Sequence, residues 1–170
     1  CRLSSVVGSA FDTSYSTFTA MSTIMTSTGD CASIGTNGSG TLTDCKMTAS
    51  GAASKVIVTD ATSSNVVVTG CTLTATTSSY AAYLGGSDHL LRGNSFSSGT
   101  VATILLDDAD NVKMNGNTII TSSGGSALKA LATVSGMSST HNSFSLNAGT
   151  VFDYPSAAED GTNYSDYNVY

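Results

Sequence analysis

Apolar and polar side chains alternate through short phrases that return along the chain in one frame. The phrase Asn-Val-Lys-Met-Asn-Gly-Asn-Thr-Ile at 111–119 is echoed by Asp-His-Leu-Leu-Arg-Gly-Asn-Ser-Phe at 88–96 and by Asn-Val-Val-Val-Thr-Gly-Cys-Thr-Leu at 65–73. Shorter echoes lie at 41–47, 140–144 and 166–170. Aligned on Cys45, Cys71, Asn94, Asn117, Asn142 and Asn168, the six phrases are 26, 23, 23, 25 and 26 residues apart. Two residues after each anchor stands Met47, Leu73, Phe96, Ile119, Phe144 or Tyr170, and three before it stands Leu42, Val68, Leu91, Met114, Ser139 or Ser165. Alternation with a period of two is the mark of a strand with one buried face. A return at this longer interval is one coil of a solenoid. Second strands such as 55–59, 101–106 and 127–131 fall between the phrases, set off by clusters of Gly, Ser, Asn and Asp that read as turns. No segment has the spacing of a long amphipathic helix.

The repeated phrase Asn-Val-x-Met-x-Gly-Asn-x-Ile resembles the coil repeat of right-handed parallel β-helix proteins, over about residues 40–170. That family includes pectate-lyase-like enzymes, phage tailspikes and many microbial surface proteins. The resemblance implies an all-β, single-chain, right-handed parallel β-helix of about six to seven coils. Residues 1–170 are expected to form one domain. An earlier coil begins at Phe18, and residues 1–17, which fit no register, are expected to be a cap or joining arm. In such a stack equivalent positions lie about 4.8 Å apart, so like sits on like. Asn94, Asn117, Asn142 and Asn168 are expected to form an inward ladder that hydrogen-bonds along the stack. Cys45 and Cys71 take the same position one and two coils earlier. They are either disulfide partners, being within reach of each other, or stacked thiols packed as small hydrophobes.

Composition narrows the choice of function. Six Lys and Arg against twelve Asp and Glu give a net charge of −6, which leaves no basic surface for a phosphate backbone, so nucleic acid is not an expected partner. No apolar run is long enough to span a membrane. Ser and Thr make up 54 of the 170 residues, and the four cysteines lack metal-binding spacing. An oxidising, extracellular or cell-surface setting is expected, and Asn37 and Asn163 head N-glycosylation triplets.

Chemistry-bearing residues are few. The densest polar cluster, Asp107, Asp108 and Asp110, stands at a turn, and paired carboxylates there suit sugar hydrolysis. His89 and Arg92 are the nearest candidates to join them. Arg92, Lys113 and Lys129 are the only basic residues after Lys55, too thin a strip for cleavage of an acidic polysaccharide. No nucleophile elbow, zinc motif or phosphate loop is present, so no metal or cofactor is called for. The first expectation is therefore a structural subunit, not an enzyme, that self-associates into an extracellular sheath, surface layer, tube or filament. Cys1, Cys31, Tyr164, Tyr167 and Tyr170 are the candidates for contacts between copies. The alternative is a carbohydrate-binding or carbohydrate-cleaving β-helix with its site at Asp107, Asp108, Asp110, His89 and Arg92.

Overall fold

Alternating short strands and tight polar turns wind the chain into a parallel β-solenoid of about six turns, seen in a computed structural model that describes residues 1–5, 8–76, 79–99, 101–131, 133–154 and 164–170. Three sheets, of seven, eight and seven strands, run along it. Sheet A stacks β1 (Arg2–Ser5), β4 (Ile24–Ser27), β7 (Lys46–Ala49), β10 (Thr72–Ala75), β13 (Ser95–Ser98), β16 (Thr118–Thr121) and β20 (Ser143–Leu146). Sheet B stacks β2 (Phe11–Thr13), β5 (Ala32–Ile34), β8 (Lys55–Thr59), β11 (Tyr80–Ser87), β14 (Ile104–Asp110), β17 (Leu128–Ala130) and β21 (Phe152–Asp153), with the short β18 (Val134–Ser135) also paired to β14. Sheet C stacks β3 (Thr17–Met21), β6 (Ser39–Thr43), β9 (Val66–Thr69), β12 (Leu90–Arg92), β15 (Lys113–Asn115), β19 (Ser138–Thr140) and β22 (Tyr164–Asp166). Among the described residues there is no helix, and so none long and apolar enough to cross a membrane.

The core is a set of vertical columns. Met25, Met47, Leu73, Phe96, Ile119 and Phe144 stack inside sheet A, and Leu42, Val68, Leu91 and Met114 inside sheet C. All are buried, and each such side chain removed from water contributes about 1.5–3 kcal/mol. The expected cap at 1–17 is instead part of the stack. Arg2 pairs with Ile24, and Phe11 with Ala32, both in parallel register. The arm goes unseen in the repeat because its corners lack the Gly-Asn phrase, although Leu3 still stacks under Met25.

The step from sheet C to sheet A is the same in every turn. Ala20 to Met25, Leu42 to Met47, Val68 to Leu73, Leu91 to Phe96, Met114 to Ile119 and Ser139 to Phe144 each span five residues. At that corner Ser22, Asp44, Gly70, Gly93, Gly116, His141 and Tyr167 all have positive φ, between 46° and 64°. The residue after each turns inward. Cys45 N–H donates to Cys71 Sγ (3.3 Å), Cys71 N–H to Asn94 Oδ1 (2.9 Å), Asn94 N–H to Asn117 Oδ1 (3.0 Å), Asn117 N–H to Asn142 Oδ1 (2.9 Å) and Asn142 N–H to Asn168 Oδ1 (2.9 Å). Asn side-chain amides add bonds to the carbonyls of Val68, Leu91 and Met114 at 2.9–3.1 Å. Position by position, Thr23 and Cys1 continue the same column, since Cys1 O accepts from Ile24 N–H as Asn94 O does from Thr118 N–H.

Cys45 and Cys71 are thiols rather than a disulfide. Each Sγ donates to a backbone carbonyl, Cys45 to Thr43 O (3.3 Å) and Cys71 to Thr69 O (3.4 Å), so sulfur takes the place that asparagine fills in later turns. Burial pushes the Cys71 thiol up to about 11. Cys31, expected among the contacts between copies, is fully buried and donates to Thr48 O at 2.9 Å. A second polar seam, invisible in the repeat, joins Ser98, Thr103 and Thr121 through hydroxyl contacts of 2.9 and 2.6 Å. Among the described residues no buried side-chain N or O lacks a partner.

Candidate functional site

The regular stacking of sheet B is broken between β11 and β14. From Ala82 to Leu84, β11 pairs with β14 in step, but the register then shifts so that Gly86 faces Ala109. Asp107 and Asp108 therefore stand opposite Gly85 alone, a β-bulge, and Asp108 has φ of 56°. The partner strand must be glycine here: Gly86 has φ of 84°, and a Cβ on it would lie 2.1 Å from Ser63 O. Beneath the bulge Thr59 Oγ1 donates to Gly85 O (2.7 Å) and accepts from Gly85 N–H (2.9 Å). His89 lies under it too, buried, with Nε2 donating to Gly85 O (2.7 Å) and Nδ1 accepting from Val66 N–H (3.3 Å). Burial pushes its imidazole below the ordinary value, against the opposing pull of the Gly85 hydrogen bond and the Asp88 charge.

Outside the bulge lies an open groove of about 380 Å³, lined by Lys55, Val58, Thr59, Asp60, Ala61, Tyr83, Gly85, Asp107 and Asp108. The Tyr83 hydroxyl donates to the Asp107 carboxylate. Burial first, and then this bond to Asp107, push Tyr83 up to about 12, so it is a phenol that holds the carboxylate in place. Lys55 Nζ sits 5.4 Å from the centre of the Tyr83 ring, a cation–π contact. Tyr80 meets Tyr83 edge to face at 6.0 Å. Burial would raise the Asp60 carboxyl. Hydrogen bonds from Thr62 N–H and Oγ1, from Thr36 Oγ1 and from Ser63 Oγ, at 2.8–3.1 Å, outweigh it and hold the group below the ordinary carboxylate value.

Of the five residues proposed for a glycan site, the structure brings together only Asp107 and Asp108. Asp110 is directed to the next corner, where Ser135 Oγ donates to it. His89 is interior. Arg92 is exposed on sheet C between Thr69 and Asn115, and Lys113 lies diagonally beside it, paired with Leu90. The repeat put these residues close in frame, but a corner of the solenoid separates them. Lys55, Asp60, Tyr80 and Tyr83 were not foreseen. The available signal was the Tyr-Ala-Ala-Tyr spacing at 80–83, with two buried alanines between the half-buried rings, and the Gly-Gly pair that follows.

The remaining candidates are scattered. Asn37 is exposed in a turn with φ of 53°, and Asn163 lies outside the described residues. Cys1 is exposed. Tyr164 opens the last strand, β22. Tyr167 stacks on His141 (5.2 Å) and Tyr170 on Phe144 (5.6 Å), each with most of its surface open. Among the described residues no three of His, Cys, Asp or Glu are placed to hold a metal ion.

A family model described as the right handed beta helix region matches residues 9–164. The chain belongs to this family. No curated protein matches it. As a right-handed β-helix, the chain takes its handedness from the family, which includes enzymes and non-enzymes alike.

Proposed function

We propose that this β-helix binds a glycan in the sheet B groove. The observation that carries the reading is the groove itself: an aromatic wall, Tyr83, flanked by Asp107, Asp108, Asp60 and Lys55 at the bulge between β11 and β14. Sugars present apolar ring faces ringed by hydroxyls, and concave sites with an aromatic surface and a few fixed polar groups suit them. Bulges re-aim side chains beside binding sites. The test is a screen of polysaccharides for binding and for turnover, with the parent chain and with Tyr83→Ala, Asp107→Ala and Asp108→Ala. Retention of a glycan by the parent and its loss in the Tyr83 and Asp107 variants is the expected result. No glycan bound, or undiminished binding by every variant, refutes the reading.

A second reading, a structural subunit of an extracellular sheath, surface layer, tube or filament, is favoured by sheet A. Its outward positions carry runs of hydroxyls, Thr72, Ser95, Thr118 and Ser143 in one column and Thr26, Thr48, Thr74 and Ser97 in the other, with Arg2, Ile24 and Lys46 at the start of the first and Ile120 interrupting the second. Such a flat face suits lateral packing of copies. Electron microscopy over a concentration series, with and without reductant, tests it, and dispersed particles throughout refute it. Both readings place the chain outside the cell or at its surface.

A further inference from the structure

The ladder holds sulfur on two consecutive rungs, Cys45 and Cys71, where the backbone alone does not call for it. Thr43 pairs with Thr69 just before them and Lys46 with Thr72 just after, so the two residues stand directly in step. Cys45 N–H reaches Cys71 Sγ at 3.3 Å, against 2.9–3.0 Å wherever asparagine is the acceptor. Asparagine would satisfy the same backbone groups with the shorter bonds. The two thiols also meet side chain to side chain, and the residues are only 2% and 1% exposed. Cys31, the third buried thiol, is apart from them between β4 and β5, donating to Met25 O and Thr48 O.

Spacing and surroundings both suit a soft metal ion. Successive rungs lie about 4.8 Å apart. A thiolate binds a metal at about 2.3 Å, so a linear sulfur–metal–sulfur unit of about 4.6 Å fits between one rung and the next. Soft thiolate ligands select Cu(I), an ion content with two of them in line. Zinc takes four ligands, and among the described residues no group of three His, Cys, Asp or Glu is placed to hold a metal. The Cys45 N–H that already points at Cys71 Sγ would hold part of the negative charge left on sulfur. Of the carbonyls that would give up an S–H donor, Thr43 O keeps Ser22 N–H at 2.9 Å and Thr69 O keeps Asp44 N–H at 3.0 Å.

We infer that Cys45 and Cys71 form a buried, two-coordinate site for Cu(I). Binding involves no electron transfer. Each thiol gives up its proton, two sulfur–copper bonds replace the bonds to the ion's previous ligands, and two protons leave for solvent.

The full chain, reduced and then freed of reductant in the absence of oxygen, is titrated with Cu(I) supplied as its acetonitrile complex, in competition with the chelator bicinchoninate. Cys1→Ser is the reference and the background for every other variant, because it removes the exposed thiol. The reference retains one Cu(I) per chain against the chelator, with thiolate-to-copper charge-transfer absorption and two sulfur neighbours in X-ray absorption. Retention is lost in Cys45→Ser and in Cys71→Asn, the second of which installs the residue that the ladder itself uses from Asn94 onward. Cys31→Ser keeps it. Saturation with Cu(I) raises the Tm of the reference and leaves that of Cys71→Asn unmoved. The reference alone can overturn the inference, by failing to hold Cu(I) or by holding it with nitrogen or a single sulfur as neighbours. Retention that survives Cys71→Asn, or that is abolished by Cys31→Ser in a chain that still melts cooperatively, overturns it as well.

Discussion

Truncating one rung of the asparagine ladder should cost far more than its modest volume implies. Asn117→Ala removes Oδ1, which accepts from both Asn94 N–H and Asn94 Nδ2 (3.0 Å each), and Nδ2, which donates to Leu91 O (3.0 Å) and Asn142 Oδ1 (2.9 Å). Four bonds go, and Asn94 N–H loses its acceptor in a site that excludes water. With about 1–3 kcal/mol for the stranded donor and a net contribution of about 1 kcal/mol for each of the other three bonds, the loss is about 4–6 kcal/mol. For a chain of this size that lowers Tm by about 8–24 °C. Asn117→Cys is the informative comparison, because Cys71 at the equivalent position accepts Cys45 N–H and donates to a carbonyl. It should retain the acceptor and one donor, and lose only about 1–2 kcal/mol. Urea unfolding measures both variants, and hydrogen exchange at Asn94 N–H locates the damage. An Ala variant within about 0.5 kcal/mol of the parent, or a Cys variant as unstable as Ala, would falsify the ladder argument.

Other outcomes follow from single features. His89 is neutral in the folded state and its folded pKa lies below the ordinary 6.5, so its contribution to stability is full above that value and is lost as pH falls below it. Urea midpoints between pH 7.5 and 5 should decline for the parent and flatten for His89→Gln; equal slopes would exclude His89 as the cause. Gly86→Ala, with its Cβ 2.1 Å from Ser63 O, should destabilise well beyond about 1 kcal/mol, whereas Gly116→Ala, with φ of 64° and open space around it, should lose only about 1 kcal/mol. Matched thermal melts compare the pair, and similar losses would contradict the close approach at the bulge. Thiol titration of unfolded, unreduced protein should count four thiols, and in the native state Cys1 should react first, since Cys31, Cys45 and Cys71 are buried. A count of two would restore a disulfide.

The columns were legible in the sequence because stacking forces chemically similar residues to recur at one interval. Leu42, Val68, Leu91 and Met114, and the run from Asn94 to Asn168, announce themselves in this way. The groove was not legible, for the same reason: it exists where the repeat breaks. Tyr80 and Tyr83 have no counterparts in neighbouring coils, and the bulge arises from one extra residue in β14, which a frame anchored on asparagines passes over. Arg92 and His89 illustrate the other limit. Proximity in the frame fixes the rung but not the face, and one side chain turned outward on sheet C while the other turned in beneath Gly85.

The unchanging five-residue step from sheet C to sheet A bears on how such a chain can lengthen. Turns differ in length, yet the variation falls outside this corner; Met25 to Ala32 is shorter than Met47 to Ile57, for example. The ladder corner therefore acts as a standard coupling. A segment cut at one such corner and rejoined at another presents the same inward side chain and the same left-handed residue to its new neighbour. Whole coils can then be duplicated, deleted or exchanged as cassettes, while the looser corners accept insertions that diversify the surface without disturbing the joint.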